Sequence, residues 1–265
     1  MIVKLNDALK QGVLTKKLVR YVFGKCRNYL LKSKRRYFKI NGNRYHGQIA
    51  SNYEATRIKQ DSWHAETRIL SKFLELLPDR INVLDVPFGT GRFLDLYDQK
   101  NMAVTGLDIS NDMLVEAEKL RGNLFKKCTI DIGDARNLPY GNNSFDLIVC
   151  FRLLDGLLTF GDVKKVVFEC VRVSKKNLIL ELSAIPEGDR SEYLIQNLKE
   201  GKPISGRLTD QERVKLFDLL GLKIIQKELA REEGKPHEII YLCEKSNIRS
   251  NQIGQLSLLE ISELI

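Results

Sequence analysis

The stretch VLDVPFGTGRF, Val83–Phe93, decides how this chain folds and what it holds. An apolar run ends on a carboxylate, Asp85, and two glycines, Gly89 and Gly91, follow before a helical pattern opens at Arg92. Gly89 and Gly91 permit positive φ and let backbone approach a ligand. A dinucleotide site would want a third glycine where Leu94 stands, and a phosphate-gripping loop would want Lys-Ser/Thr after Gly91 rather than Arg92 and Phe93. A carboxylate beside the turn repels a pyrophosphate and attracts a cation.

Outward from that turn, apolar strand patterns fall at 82–86, 103–108, 128–133, 145–151 and 177–183. Helical patterns lie between or before them, at Trp63–Leu77, Arg92–Gln99, Asp112–Leu120 and Val163–Val173. Strands alternating with helices indicate βαβ units and a mostly parallel sheet, with ligands at the carboxyl ends of its strands. FDLIVCF (145–151) and NLILEL (177–182) are apolar enough to be covered on both faces. TDQE, Thr209–Glu212, is a capping box that opens a helix ending near Gly221. The last two strand patterns, 222–230 and 238–245, are joined by a loop too short for a crossover helix, so they form an antiparallel hairpin.

Composition bounds the rest. With 265 residues, 43% hydrophobic and 29% charged, the chain can bury one large core. No apolar run reaches the roughly 18 residues of a membrane span. The first residues lack an apolar signal core and a small-residue cleavage site, which argues against secretion and for a cytoplasmic protein. Five scattered cysteines and three histidines offer no metal-ligand spacing and read as reduced residues, mostly of the core. The net charge of +9 is unevenly placed: residues 1–45 hold thirteen Lys/Arg and one acid, so the arm carries +12 and the remainder −3. Three parts follow: a basic amphipathic helical arm, 1–45; the main domain, 46–246; and an amphipathic tail, 247–265, which could cover the core, bind a partner, self-associate or fray.

The second strand ends in GLDIS, putting Asp108 at the distance from the glycines where an acid chelates ribose hydroxyls. Asp134, after the third strand in IGDARNLPY, could accept from an adenine amino group. Three acids at three successive strand ends fit a donor with an ammonium, a sulfonium and no phosphate, which is S-adenosylmethionine. Asp85 and the absent third glycine argue against a nicotinamide oxidoreductase.

The motifs VLDVPFGTGRF, VTGLDISNDMLVEAEK, GDARNLPYGNNSFDLIVCFRLLD and VFECVRVSKKNLILEL resemble those of the class I S-adenosylmethionine-dependent methyltransferases, in the branch with the ubiquinone-biosynthesis-like enzymes. The resemblance covers about residues 50–245. It implies an α/β fold: a Rossmann-like, doubly wound, seven-stranded sheet with the last strand antiparallel. It also implies roles. Gly89, Thr90 and Gly91 would contact the methionyl part by backbone, and Asp85 would order the loop and face the ammonium. Asp108 would hold the ribose with Ile109 against the adenine, and Asp134 and Ala135 would close over the adenine edge. Tyr53 would cover the donor and Arg57 pair with its carboxylate, in an element resembling the family's Tyr-x-x-x-Arg. Pro87 and Phe151 complete the donor-binding set. Pro87 stands where the family usually has Gly, and Phe88 where it often has Cys or Gly; both stiffen the loop.

Methyl transfer is an in-line displacement, so the enzyme must align the acceptor and shield it, with a base where a proton leaves. The candidates are His46 and His64, flanking a lid, and Arg152 and Asp155, after the fourth strand. Arg152 could orient an anionic acceptor. Trp63 reads as packing. The segment CFRLLDG lacks the Asn/Asp-Pro-Pro-aromatic motif of base-amino methyltransferases, which disfavours that chemistry. The arm could lie on an anionic membrane, grip a phosphate backbone or simply be solvated; the one-sided apolar residues favour peripheral contact with the inner membrane face. The acceptor is then a small molecule, lipid or lipid-linked glycan. RNA- or protein-directed transfer, and a silent donor-binding regulator, are the alternatives.

Overall fold

A computed structural model describes residues 45–154, 160–185, 208–231 and 237–246. Two short helices, α1 (Gln48–Ser51) and α2 (Tyr53–Arg57), lead into α3 (Asp61–Glu75). Then come β1 (Asn82–Asp85), α4 (Leu94–Gln99), β2 (Ala103–Asp108), α5 (Asn111–Arg121), α6 (Asn123–Lys126), β3 (Thr129–Ile132) and β4 (Phe145–Cys150). The chain continues through α7 (Phe160–Val173), β5 (Ser174–Ile185), β6 (Leu208–Thr209), α8 (Asp210–Leu219), β7 (Leu222–Arg231) and β8 (His237–Lys245).

The strands form one sheet in the order β3-β2-β1-β4-β5-β8-β7. The pairs β1–β2, β1–β4, β2–β3 and β4–β5 are parallel, while β8 runs antiparallel to both β5 and β7. This is the doubly wound sheet with an antiparallel last strand that the sequence implies. The two-residue β6, parallel to the end of β5, adds an eighth strand that no sequence pattern marks. The capping box at Thr209 forms: its hydroxyl accepts from the Glu212 N–H at 3.2 Å and its own N–H donates to the Glu212 carboxylate at 2.9 Å.

Strand alternation sorts the core into two layers. Leu84, Ile148, Cys150, Leu178 and Leu180 face α7 and α8. Val83, Leu147, Val149 and Ile179 face α3, α4 and α5. Because side chains alternate along a strand, Asp85 and Glu181 project toward the same face as Val83 and Ile179. Glu181 is thereby delivered beside Glu66 of α3, and Asp85 beside Tyr97 of α4. Cys150, Cys170 and Cys243 are buried free thiols and Cys128 is half-buried. No helix among the described residues is long and apolar enough to cross a membrane. The arm up to Arg44, the tail from residue 247 and Asp155 lie outside the described residues.

Candidate functional site

The glycine turn after β1 is built as its sequence demands. Gly89 (φ 58°) and Gly91 (φ 64°) both occupy the left-handed region. The Phe88 ring is buried and packs over Gly106 of β2, where a Cβ would stand 2.3 Å from the ring. Gly106 is thus the space that lets a bulky Phe88 sit in this loop.

Two acids meet at the turn. Asp108 is buried at the end of β2; it accepts from the Gly89 N–H at 2.8 Å and from the Ser110 N–H at 2.9 Å. Burial raises the Asp108 pKa, against the opposing hydrogen bonds from the Ser110, Gly89 and Ile109 backbone. Asp85 is only 3% exposed. Burial pushes its pKa up to about 8; Tyr97 and Arg92 oppose the rise and the Asp108 charge adds to it. The Tyr97 hydroxyl approaches Asp85 closely enough to favour ionisation, but falls short of hydrogen-bonding geometry and has no other partner. Neither acid has an ion-pair partner among the described residues. A cation arriving at this turn supplies what the fold omits.

Flanking residues divide into those open to a ligand and those already engaged. Ile109 is 42% exposed, an apolar surface beside Asp108. Ala135 is buried. Asp134 is gripped by Arg136, whose Nε donates to both carboxylate oxygens and whose Nη2 donates at 2.5 Å. Burial works to raise its pKa, but those bonds and the Arg136 charge outweigh it and hold the carboxyl low. Asp134 must therefore share any adenine contact with Arg136. Thr90 is buried, and its hydroxyl donates to Glu54 of α2 at 2.8 Å. Arg121, the last residue of α5, donates to the Thr90 carbonyl at 3.0 Å and also to Glu54. This bridge ties the N-terminal helices to the glycine turn. Pro87 is half-buried in the same turn. Phe151 is buried, its ring 5.1 Å edge-to-face from Phe93.

Above the β4 end stands an aromatic and basic wall. Tyr53 lies 5.4 Å from the Tyr45 ring and 6.3 Å from Trp63. Burial and then the Tyr45 charge raise its pKa, opposed by Arg152, Arg57 and Arg92. Arg57 lies 5.4 Å over the Tyr53 ring and, among the described residues, donates only to Gln60, at 3.3 Å, which leaves most of its guanidinium unengaged there. Trp63 is buried with the Arg92 guanidinium 4.0 Å above it, as a packing residue would be.

Arg152, at positive φ (55°), is not an open anion clamp. Its Nε and Nη2 donate to Glu66 at 2.6–3.0 Å, its Nη1 to Gln60 and its Nη2 to Ser62. Its backbone N–H donates to Glu181 at 2.7 Å. Glu66 also accepts from Arg92. Carboxylate oxygens of Glu66, Glu181 and Glu238 lie within 4.8 Å of one another, the grouping here that could hold a metal ion. The Arg152 guanidinium already covers both Glu66 oxygens, and Arg231 reaches Glu238 at 3.4 Å, so the fold balances this acid group with arginine.

The two candidate histidines are not brought to Arg152. The His46 Nδ1 lies 3.3 Å from Asp112 at the start of α5, while its Nε2 is buried without a partner. That is the β2 side of the rim, near Ser110. The His64 ring is exposed, with Nε2 2.8 Å from the Ile58 carbonyl, in a cleft on the outer side of α3.

Sequence reasoning did not single out Glu54, Arg92, Arg121, Glu66 and Glu181. Two left a signal. Glu66 occupies a core position of the α3 apolar stripe, Trp63–Glu66–Leu70–Phe73, and Glu181 interrupts a strand covered on both faces.

Residues 83–177 match the family model described as a methyltransferase domain. A demethylmenaquinone methyltransferase of Thermotoga maritima is 40% identical over 121 residues, 43% of this chain and 48% of that protein. A ubiquinone/menaquinone biosynthesis C-methyltransferase (UbiE) of Rickettsia akari is 31% identical over 128 residues, 44% of this chain and 50% of that protein. The chain thus spans about half the length of the curated relatives it matches. Among solved structures, magnesium protoporphyrin IX methyltransferase of Synechocystis PCC 6803 with bound SAH superposes with a TM-score of 0.55 at 17% identity, over 83% of this chain and 98% of that one. The PH0226 protein of Pyrococcus horikoshii superposes with a TM-score of 0.53 at 19% identity, over 80% and 99%. These two share the fold.

Proposed function

We propose, from the premise that residues 83–177 form a class I methyltransferase domain, that this protein transfers the methyl group of S-adenosylmethionine to a small lipophilic acceptor. One observation carries the reading: Asp85 and Asp108, both buried and without an ion-pair partner among the described residues, converge on the glycine turn. A sulfonium donor with an ammonium group offsets them, and a pyrophosphate-bearing one does not.

The donor-binding roles follow from what each group has open. Gly89–Gly91 present backbone to the methionyl part, and Asp85 faces the ammonium. Arg57, mostly unengaged, pairs with the carboxylate under the cover of Tyr53. Asp108, which has lone pairs left beyond its backbone bonds, takes the ribose hydroxyls, and Ile109 flanks the adenine with Asp134 and Ala135. Pro87 and Phe151 shape the pocket walls. In the transfer, the acceptor would attack the methyl carbon, the carbon–sulfur bond would break with its electron pair left on sulfur, and the acceptor's proton would pass to solvent. Tyr45 and Tyr53 line the approach with aromatic surface, with Trp63 packed behind Tyr53. Arg152 acts on this wall by holding Glu66, Gln60 and Ser62 in place rather than by binding an anion.

The relatives' names favour an acceptor of the reduced-quinone kind, an electron-rich ring carrying an apolar chain. The arm, 1–45, fits that choice: its basic, one-sided apolar pattern suits peripheral contact with an anionic membrane from the cytoplasmic side. The tail, 247–265, would serve a partner or a second copy. Incubating the full chain with labelled methyl donor and membrane extract, then identifying labelled product by mass spectrometry, tests the whole reading. Label in a lipophilic ring compound is the expected result. Label in RNA or protein would move the acceptor class, and absence of S-adenosylhomocysteine would leave a silent binder. Pelleting with anionic vesicles at low but not high salt tests the arm.

A further inference from the structure

A cleft of about 440 Å³ opens between α2, α3, α4 and the end of α5. None of the strand-end acids lines it. Its ionisable walls are Arg68, Arg92, Arg121 and His64 against one carboxylate, Glu54. Glu54 is already shared between Arg121 and the Thr90 hydroxyl, and Glu66, behind the wall, is shared between Arg92 and Arg152. Arg68 has no hydrogen bond or ion pair among the described residues. Two further donors stand open: the Arg92 Nη1 is buried without a partner, and Arg121 uses only Nε and Nη2. The Arg92 guanidinium cannot swing away freely, being stacked between the Trp63 ring at 4.0 Å and the Phe93 ring at 4.2 Å.

A concave wall with three guanidinium groups and one shared carboxylate focuses positive potential, and the planar N–H fork matches a tetrahedral oxyanion. We propose that this cleft binds a phosphate group, held by Arg68, Arg92 and Arg121, with the Ser71 hydroxyl as an added donor and His64 as a cation when protonated. The Thr67 hydroxyl does not serve, because it donates to the Trp63 carbonyl at 3.0 Å. Arg121 also holds the Thr90 carbonyl, so the anion would sit one side chain from the glycine turn.

Calorimetric titration of the full chain with inorganic phosphate, with chloride holding ionic strength constant and no methyl donor present, tests the cleft independently of the donor reading. The expected result is saturable one-site binding, weakened about tenfold in Arg68→Gln by loss of one charge-assisted contact. Arg68→Lys should restore part of the affinity, and Ser71→Glu, which adds a carboxylate to the cleft, should abolish it. Circular dichroism checks that each variant folds. Non-saturable binding, or Arg68→Gln binding phosphate as the parent does, would overturn the proposal.

Discussion

Two buried carboxylates illustrate opposite designs: Glu66, within α3, and Asp85, at the end of β1. Both are at most 3% exposed. Glu66 is gripped by two guanidinium groups, those of Arg92 and Arg152. Asp85 has no salt bridge among the described residues, and burial pushes its pKa up to about 8. One acid is balanced from within the chain and so belongs to the fold. The other is, on the proposed reading, balanced by a ligand.

The sharpest way to break that contrast is to remove each acid. Glu66→Ala leaves two buried guanidinium groups without their shared carboxylate, an uncompensated charge that typically costs about 3–5 kcal/mol. Urea denaturation should show that loss, with Glu66→Gln losing less because it keeps an acceptor. Asp85→Asn should leave stability at neutral pH nearly unchanged, since the acid is already largely protonated there. Equal losses at the two positions would refute the distinction. A second test moves along the rim. Asp108→Ala removes the acceptor for the Gly89 and Ser110 N–H groups and any ribose contact, and should weaken S-adenosylmethionine binding by about 2–3 kcal/mol, roughly 30- to 150-fold in calorimetry.

The Asp85 half of this contrast is legible in the sequence and the Glu66 half is not, and the reason is locality. The strand cores and the larger helices follow from apolar periodicity, and the turn from Asp85, Gly89 and Gly91, because each is set by neighbours within a few positions. The Thr209 capping box is local in the same sense. What periodicity misses is pairing over distance. Glu54 meets Arg121 across 67 positions and Arg152 meets Glu66 across 86. For that reason Arg152 reads as an open anion clamp in sequence while the fold engages it, and Asp134 reads as open while Arg136 holds it. The two-residue β6 is too short to carry any pattern.

The pH dependence of donor binding sharpens the contrast further. Asp85 has a folded pKa above the ordinary carboxylate value of about 4, so the folded state holds more protons than the unfolded state between about pH 4 and 8. Stability from this group therefore falls as pH rises through that window and levels off above it. A cationic donor favours the ionised form, so its binding below pH 8 releases a proton. Affinity should rise toward pH 8 by up to about tenfold per unit, and the proton release should appear as a dependence of binding enthalpy on buffer. Asp85→Asn should flatten both. A parent profile as flat as that of the variant would show that Asp85 does not face the donor's charge.

The smallest effect isolates the tuning of Asp85 from its burial. Tyr97→Phe removes a buried hydroxyl that makes no hydrogen bond, so it should change stability by less than about 1 kcal/mol. The same hydroxyl eases ionisation of Asp85, second only to burial in its influence. Its loss should shift the inflection of donor affinity to higher pH while leaving the plateau affinity above it unchanged. A variant that instead lowered the plateau would mean that Tyr97 touches the donor itself, and that the rim's charge is set by Arg92 and Asp108 alone.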